Sequence, residues 1–240
     1  MLRLRRVAVL VLCGSIPAMA AGVTDLTKTG KPPVDFAMQI ALLLTGLVLL
    51  PAILMSVTPF LRIVVVLHFL RQAIGTQTVP SNQVLVGLAL FLTMFLVQPV
   101  AHEIYENSWI PYEKGSATAE SALETAMKPM ASYLSKFVRE KDVALFLDIS
   151  HTPPPKNRSE LTLAVLLPAY ILSELKTAFQ IGAVLFLPFL IVDLLVASIT
   201  LSVGMVQLPP VMISAPLKIL LFVLVDGWNL VVGSLVKSFY

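Results

Sequence analysis

Cysteine is nearly missing from this sequence: Cys13 is the single one, and it lies in an N-terminal stretch that reads as a leader. Once such a leader is removed, neither a disulfide framework nor a thiolate metal site can be built. Charge is also scarce. Charged residues make up 13% of the chain, against about 25% in an average soluble domain. Hydrophobic residues make up 57% of its 240 positions. That balance sets the class as a membrane protein. The net charge of +3 comes without a basic stripe interleaved with aromatics, so nothing marks a nucleic-acid partner. No HExxH, GxSxG, P-loop or glycine-rich dinucleotide turn occurs. His68, His102 and His151 are far apart and form no pair at metal-ligand helical spacing. The expectation is a protein that is not an enzyme and that uses no metal or cofactor.

What is present begins with an address. Arg3, Arg5 and Arg6 precede an apolar run over residues 7–13, followed by Ala18, Met19 and Ala20. This is the pattern of a cleaved signal peptide over residues 1–20, cut between Ala20 and Ala21. The apolar run is too short to span a bilayer core of about 30 Å, which takes about 20 residues; an uncleaved N-terminal anchor is the alternative. Leu12 before Cys13 is not the small residue a lipoprotein signal wants.

After a short segment at 21–35, four apolar blocks follow. They cover residues 36–61, 73–101, 161–203 and 211–236, the first two without a charge. Each is long enough for one spanning helix, and the third for a helix with a lead-in or a bent pair. The blocks group as a first hairpin at 36–101 and a second at 161–240. Between them, residues 102–160 carry nine acidic and seven basic residues, 16 of the chain's 31 charges, so this segment belongs outside the hydrocarbon. Within it Leu123, Met127, Met130, Leu134, Phe137 and Val138 recur at helical spacing. Ser121 with Glu124 reads as a capping box at the start of that helix, and Pro129 should kink or restart it. The run Thr152–Pro155 reads as a linker back to the membrane.

A cleaved signal leaves the mature N-terminus outside the cytoplasm. The loop holding Arg62 and Arg71 is then cytoplasmic, as the positive-inside rule prefers. The charged middle segment is then periplasmic, and Arg62 reads as a topology anchor.

The third and fourth blocks hold charges at membrane depth: Glu174, Lys176 and Asp193, then Lys218 and Asp226. An ionisable group there costs roughly 2.5 kcal/mol or more unless paired or facing water. Glu174 and Lys218 have opposite signs on antiparallel neighbours, so they suit an ion pair within or between subunits, with Asp193 a competing partner for Lys218. Asp193 and Asp226 could in principle form an aspartyl dyad; capping or pairing inside the bundle is the plainer role. Residues 204–210, GMVQLPP, make a stiff turn that presents methionine and leucine at its tip. Methionine suits a deformable apolar seal, although the pattern alone is that of a hairpin turn. A small-solute transporter, a reading from another class, would favour internal repeats and broken helices; no repeat relates the first two blocks to the last two.

Four stretches carry a resemblance. They are LRQAIGTQTVPSNQVLVGLALFLT at 70–93, LLPAYILSELKTAFQIG at 166–182, FLPFLIVDLLVAS at 186–198 and LKILLFVLVDGWNLVVGSLVKSFY at 217–240. On these the chain resembles the FliP family, a core export-gate component of type III secretion systems. It is nearer the flagellar branch than the virulence-injectisome branch. The resemblance implies an all-α membrane protein of about four long apolar helices in hairpins, with a helical periplasmic segment, assembling into a ring or cone. Implied partners are further copies of itself, FliQ and FliR, with FlhB and FlhA associated. Unfolded flagellar subunits would pass through this gate, driven by the proton gradient and a cytoplasmic ATPase. Its methionine-rich channel loop maps onto Met205, Val206 and Gln207, of which only Met205 is methionine, with Leu208 beside it. Periplasmic assembly contacts map onto Tyr133 and Phe146, and Glu174 with Lys218 match a charged pair that meets across a subunit boundary. The assembled hairpins would stand partly out of the bilayer plane.

Overall fold

The computed structural model describes residues 33–76, 78–153, 155, 161–205 and 209–240, and among them every regular element is helical. Backbone contacts divide the chain into two units, 1–52 and 53–240. The first contributes most of α1 (Pro33–Ser56), an apolar helix whose side chains Leu42, Val48 and Ile53 are exposed. The expected block to residue 61 is cut short, because the helix ends at Ser56 and Pro59 supplies no backbone donor to continue it.

In the second unit α2 (Phe60–Ala73) occupies the stretch expected to be the inner loop. Its buried residues Ile63, Val66, Leu67, Leu70 and Ala73 recur at three and four, which is why it buries a continuous stripe. It stops at Gly75, where φ is +86°. The Gly75 amide donates to the Gln72 carbonyl and the Thr76 amide to that of Arg71, a Schellman cap that needs a left-handed residue.

A continuous helical run, Asn82–Glu113, follows. It comprises α3 (Asn82–Ile104), a widened π turn at Tyr105–Trp109 and α4 (Ile110–Glu113). Pro111 lacks a donor and crowds the preceding turn, and the π turn lies immediately before it. The middle segment is thus entered by helix at residue 102, not by loop.

α5 (Ala119–Phe137) begins two residues before Ser121, the start of the expected capping box. Thr118 is the cap, its hydroxyl accepting from the Ser121 amide at 3.3 Å. The helix runs unbroken through Pro129. Its expected apolar stripe is half right: Leu134 and Val138 are buried, whereas Leu123 is 63% exposed and Met127 is exposed as well. α6 (Glu140–Ile149) follows.

α7 (Leu163–Ser202) resolves the third block as one helix of 40 residues, about 60 Å long at 1.5 Å per residue. Pro168 lies near its start and Pro188 inside it. A second Schellman cap at Gly204 (φ +79°) ends it, with the Met205 amide donating to Thr200. α8 (Pro210–Leu224) and α9 (Gly227–Lys237) divide the fourth block at a 67° bend. The bend sits at Asp226, which is left-handed at φ 52°. Among the described residues, three helices are long and apolar enough to cross a membrane, or four if the bent pair counts as one span.

Two cores share α7. One gathers α2, α3, the part of α7 from Ala178 onward, α8 and α9; the other gathers α5, α6 and the first turns of α7.

Candidate functional site

The site starts from how α2 lies on α7. Gly182 admits the Phe69 ring so closely that a Cβ there would sit 2.6 Å from it. Seven residues before Phe69 is Arg62, and eight before Gly182 is Glu174; equal rise per residue therefore brings these two side chains level. Arg62 Nε donates to Glu174 Oε2 at 2.8 Å and Nη2 donates to Oε1, a two-pronged fork. The Arg62 side chain is 4% exposed and that of Glu174 0%. Nη1 donates to the Ser238 carbonyl at 3.2 Å and hydroxyl at 3.0 Å. The guanidinium carbon lies 3.9 Å from the Phe239 ring centroid and 5.7 Å from that of Phe137.

Around this pair is a layer of polar side chains. Ser173 on α7 accepts from the Arg139 amide at 3.0 Å and donates to Asp142 Oδ2 at 2.6 Å, so α7 supplies the cap that α6 lacks of its own. Arg139 Nη2 donates to Thr177 at 3.3 Å and also to Gln180. The hydroxyls of Tyr133 and Tyr170 are buried without a hydrogen bond of good geometry. Burial first, and the Glu174 carboxylate second, push the Tyr133 phenol well above its ordinary pKa, so it stays neutral.

A second pair lies farther along α7. Lys218 Nζ donates to Asp193 Oδ2 at 2.5 Å, and Ser214 Oγ to Asp193 Oδ1 at 2.6 Å. The Lys218 side chain is 6% exposed and that of Asp193 36%. Gly75 rests against Ala215 and the Lys218 stem.

Within the chain, then, Glu174 and Lys218 do not meet, which corrects the intrachain form of that expectation. Lys218 takes the competing partner Asp193, 19 residues along α7 from Glu174, or about 28 Å. Glu174 is enclosed by its own chain, so in this conformation a lysine of another copy has no path to it. Arg62 is not a loop anchor but the counterion of Glu174. Its position also corrects the orientation read from the sequence. Arg62, assigned to a cytoplasmic loop, lies against Phe137 of the segment assigned to the periplasm, and a hydrocarbon layer of about 30 Å cannot separate them in this fold. The signal for Arg62 was present but unread: it falls in helical phase with Val66, Phe69 and Ala73.

Of the other expected residues, Met205 is exposed just past the Gly204 cap. Val206, Gln207 and Leu208 lie outside the described residues, as do Ala20 and Ala21. Tyr133 and Phe146 pack against the second core of their own chain. Asp226 accepts from Asn229 at the α8–α9 bend, whereas Asp193 accepts from Lys218 and Ser214. His68 contacts the Val64 carbonyl at 3.1 Å, and His102 lies 3.5 Å from Glu106. Among the described residues no three His, Cys, Asp or Glu gather within reach of one metal ion.

Long apolar helices, charges paired inside the bundle and broad exposed apolar faces define a helical membrane protein. The FliP family model matches residues 43–235. The flagellar biosynthetic protein FliP of Pectobacterium carotovorum subsp. carotovorum is 44% identical over 98% of this chain and 91% of its own length. The FliP proteins of Bacillus subtilis (strain 168) and Treponema pallidum (strain Nichols) are 48% and 45% identical, each over 86% of this chain, and over 93% and 77% of their own lengths. The chain belongs to the FliP family.

Proposed function

We propose that this chain is a core subunit of the flagellar type III protein export gate in the bacterial inner membrane. It joins further copies of itself, FliQ and FliR, with FlhB and FlhA associated, to form the channel through which unfolded flagellar subunits pass during flagellum assembly. It works without catalysis, by shaping and sealing a path. Membership of the FliP family is the observation that carries this reading. Two structural features support it. α7 is about 60 Å long, twice a hydrocarbon core of about 30 Å, so it cannot lie wholly inside lipid as an upright span. The outer faces of its second half and of α8, with Leu187, Leu190, Leu194, Met212 and Leu220 exposed, call for cover from outside the chain. In this reading Met205, exposed just past the Gly204 cap, contributes to an apolar seal.

The test is a clean deletion of the gene in its parent bacterium, scored for hook and filament protein in the medium and for swimming. Loss of both, restored by the wild-type gene, is the expected result. Flagella and export that survive the deletion would move the gate to another type III system, a virulence injectisome among them.

A further inference from the structure

α9 is attached at its two ends by unlike contacts. At its start the Phe222 ring lies over Gly227 so closely that a Cβ would sit 2.2 Å from it, and Trp228 meets the same ring edge-on at 5.5 Å. That end is apolar packing. The far end buries Leu235 in the apolar core, with Val236 packed beside it, and is in addition fastened to a charge. The Arg62 guanidinium presents its edge to Glu174 through Nε and Nη2. Nη1 and the flat face remain. Ser238 takes the first through its carbonyl and hydroxyl, and Phe239 takes the second at 3.9 Å. Phe239 then meets Phe137 of α5 at 5.6 Å, edge to face. Four segments far apart in sequence, at 62, 137, 174 and 238–239, thus converge on one cation.

We infer that Ser238 and Phe239 form a strap that completes the Arg62–Glu174 site, with Arg62 as the positioning residue that fastens the end of α9 to α2, α5 and α7. Docking of the strap and formation of the ion pair are coupled. The pair has almost no water to fall back on, so groups that occupy the remaining donor and face of Arg62 hold the fork in register with the carboxylate. Among the described residues the strap meets no other cation, so losing the guanidinium geometry frees residues 238–239 and loosens the end of α9 while its Phe222 end stays packed. Arginine alone can do both tasks, because a planar guanidinium offers an edge to a carboxylate and a face to a ring; an ammonium is a point charge. The coupling is a property of the folded subunit and goes beyond the export role.

The experiment is hydrogen exchange on the full chain in detergent, read by mass spectrometry, for the wild type, Arg62→Lys and Phe239→Leu. Arg62→Lys keeps a positive charge beside Glu174 and loses the fork. Exchange over residues 231–240 is expected to rise about tenfold, while residues 163–173 of α7 keep wild-type protection. Phe239→Leu leaves both charges in place. It is expected to speed exchange severalfold over residues 231–240 and over the first turns of α2, around Arg62, again with 163–173 unchanged. Wild-type exchange at 231–240 in Arg62→Lys overturns the strap. Should Arg62→Lys lose protection throughout α7, and so fail to fold, Phe239→Leu decides alone: severalfold loosening at both distant places supports the coupling, and a change confined to residues 231–240 overturns it.

Discussion

The two halves of α7 are made of similar apolar sequence and meet opposite surroundings. Over residues 163–182 eight residues are buried, Val165, Leu166, Ala169, Tyr170, Ser173, Glu174, Ala178 and Gly182, and three of them, Tyr170, Ser173 and Glu174, carry a hydroxyl or a carboxyl group. Over residues 183–202 only Phe189, Val196 and Thr200 are buried. The first half is wrapped by α2, α5 and α6, and carries a fully enclosed ion pair inside a polar layer. The second half turns Val184, Leu187, Leu190, Ile191, Leu194, Leu195 and Ile199 outward. Hydropathy reports how much surface must leave water, not what covers it. The chain covers one half of this helix itself and leaves the other for lipid or for neighbouring subunits.

The largest effect expected from breaking this contrast is in the wrapped half. Arg62→Ala leaves Glu174 buried and uncompensated, at a cost of about 3–5 kcal/mol. The variant is expected to be depleted in membranes by immunoblot and to export nothing; wild-type abundance would contradict the enclosure of the pair. Next comes Gly182→Val. A side chain there collides with Phe69, and overpacking of this kind costs about 1–3 kcal/mol, read as a lower melting temperature of the purified subunit. Lys218→Ala should be milder than Arg62→Ala. The Asp193 carboxylate it leaves behind is about a third exposed and still holds Ser214, so partial water screening reduces the loss. Comparing the two variants by thermal shift checks the order. The smallest stability effect is expected from Leu194→Ser on the open half, within about 0.5 kcal/mol. That same change should still impair assembly and export, which separates covering by the chain from covering by others.

Much of this was legible in the sequence, and the limits follow from physical causes. Block lengths gave the long helices, and the hairpin turn at Gly204 was visible because a glycine followed closely by two prolines breaks a helix. The apolar character of α2 was equally visible, but Arg62 and Arg71 drew the stretch into a loop, since a charge beside a membrane block normally marks its end. Only the tertiary partner Glu174 makes Arg62 a core residue. Glu174 was singled out because an unpaired carboxylate at that depth is costly, yet cost alone does not name the counterion, and Lys218 of α8 is held by Asp193, about 28 Å along α7 from Glu174. The exposed start of the α5 stripe shows the same limit: periodicity located a face at Leu123 and Met127, and the chain has nothing packed on it tightly enough to bury them.

The most direct measurement is disulfide cross-linking in native membranes, with Cys13 replaced and single cysteines placed along α7. The account predicts covalent dimers from Leu187→Cys and Leu194→Cys on the open half and none from Ala169→Cys or Ala178→Cys on the wrapped half. Dimers from positions 169 or 178, with none from 187 or 194, would contradict it.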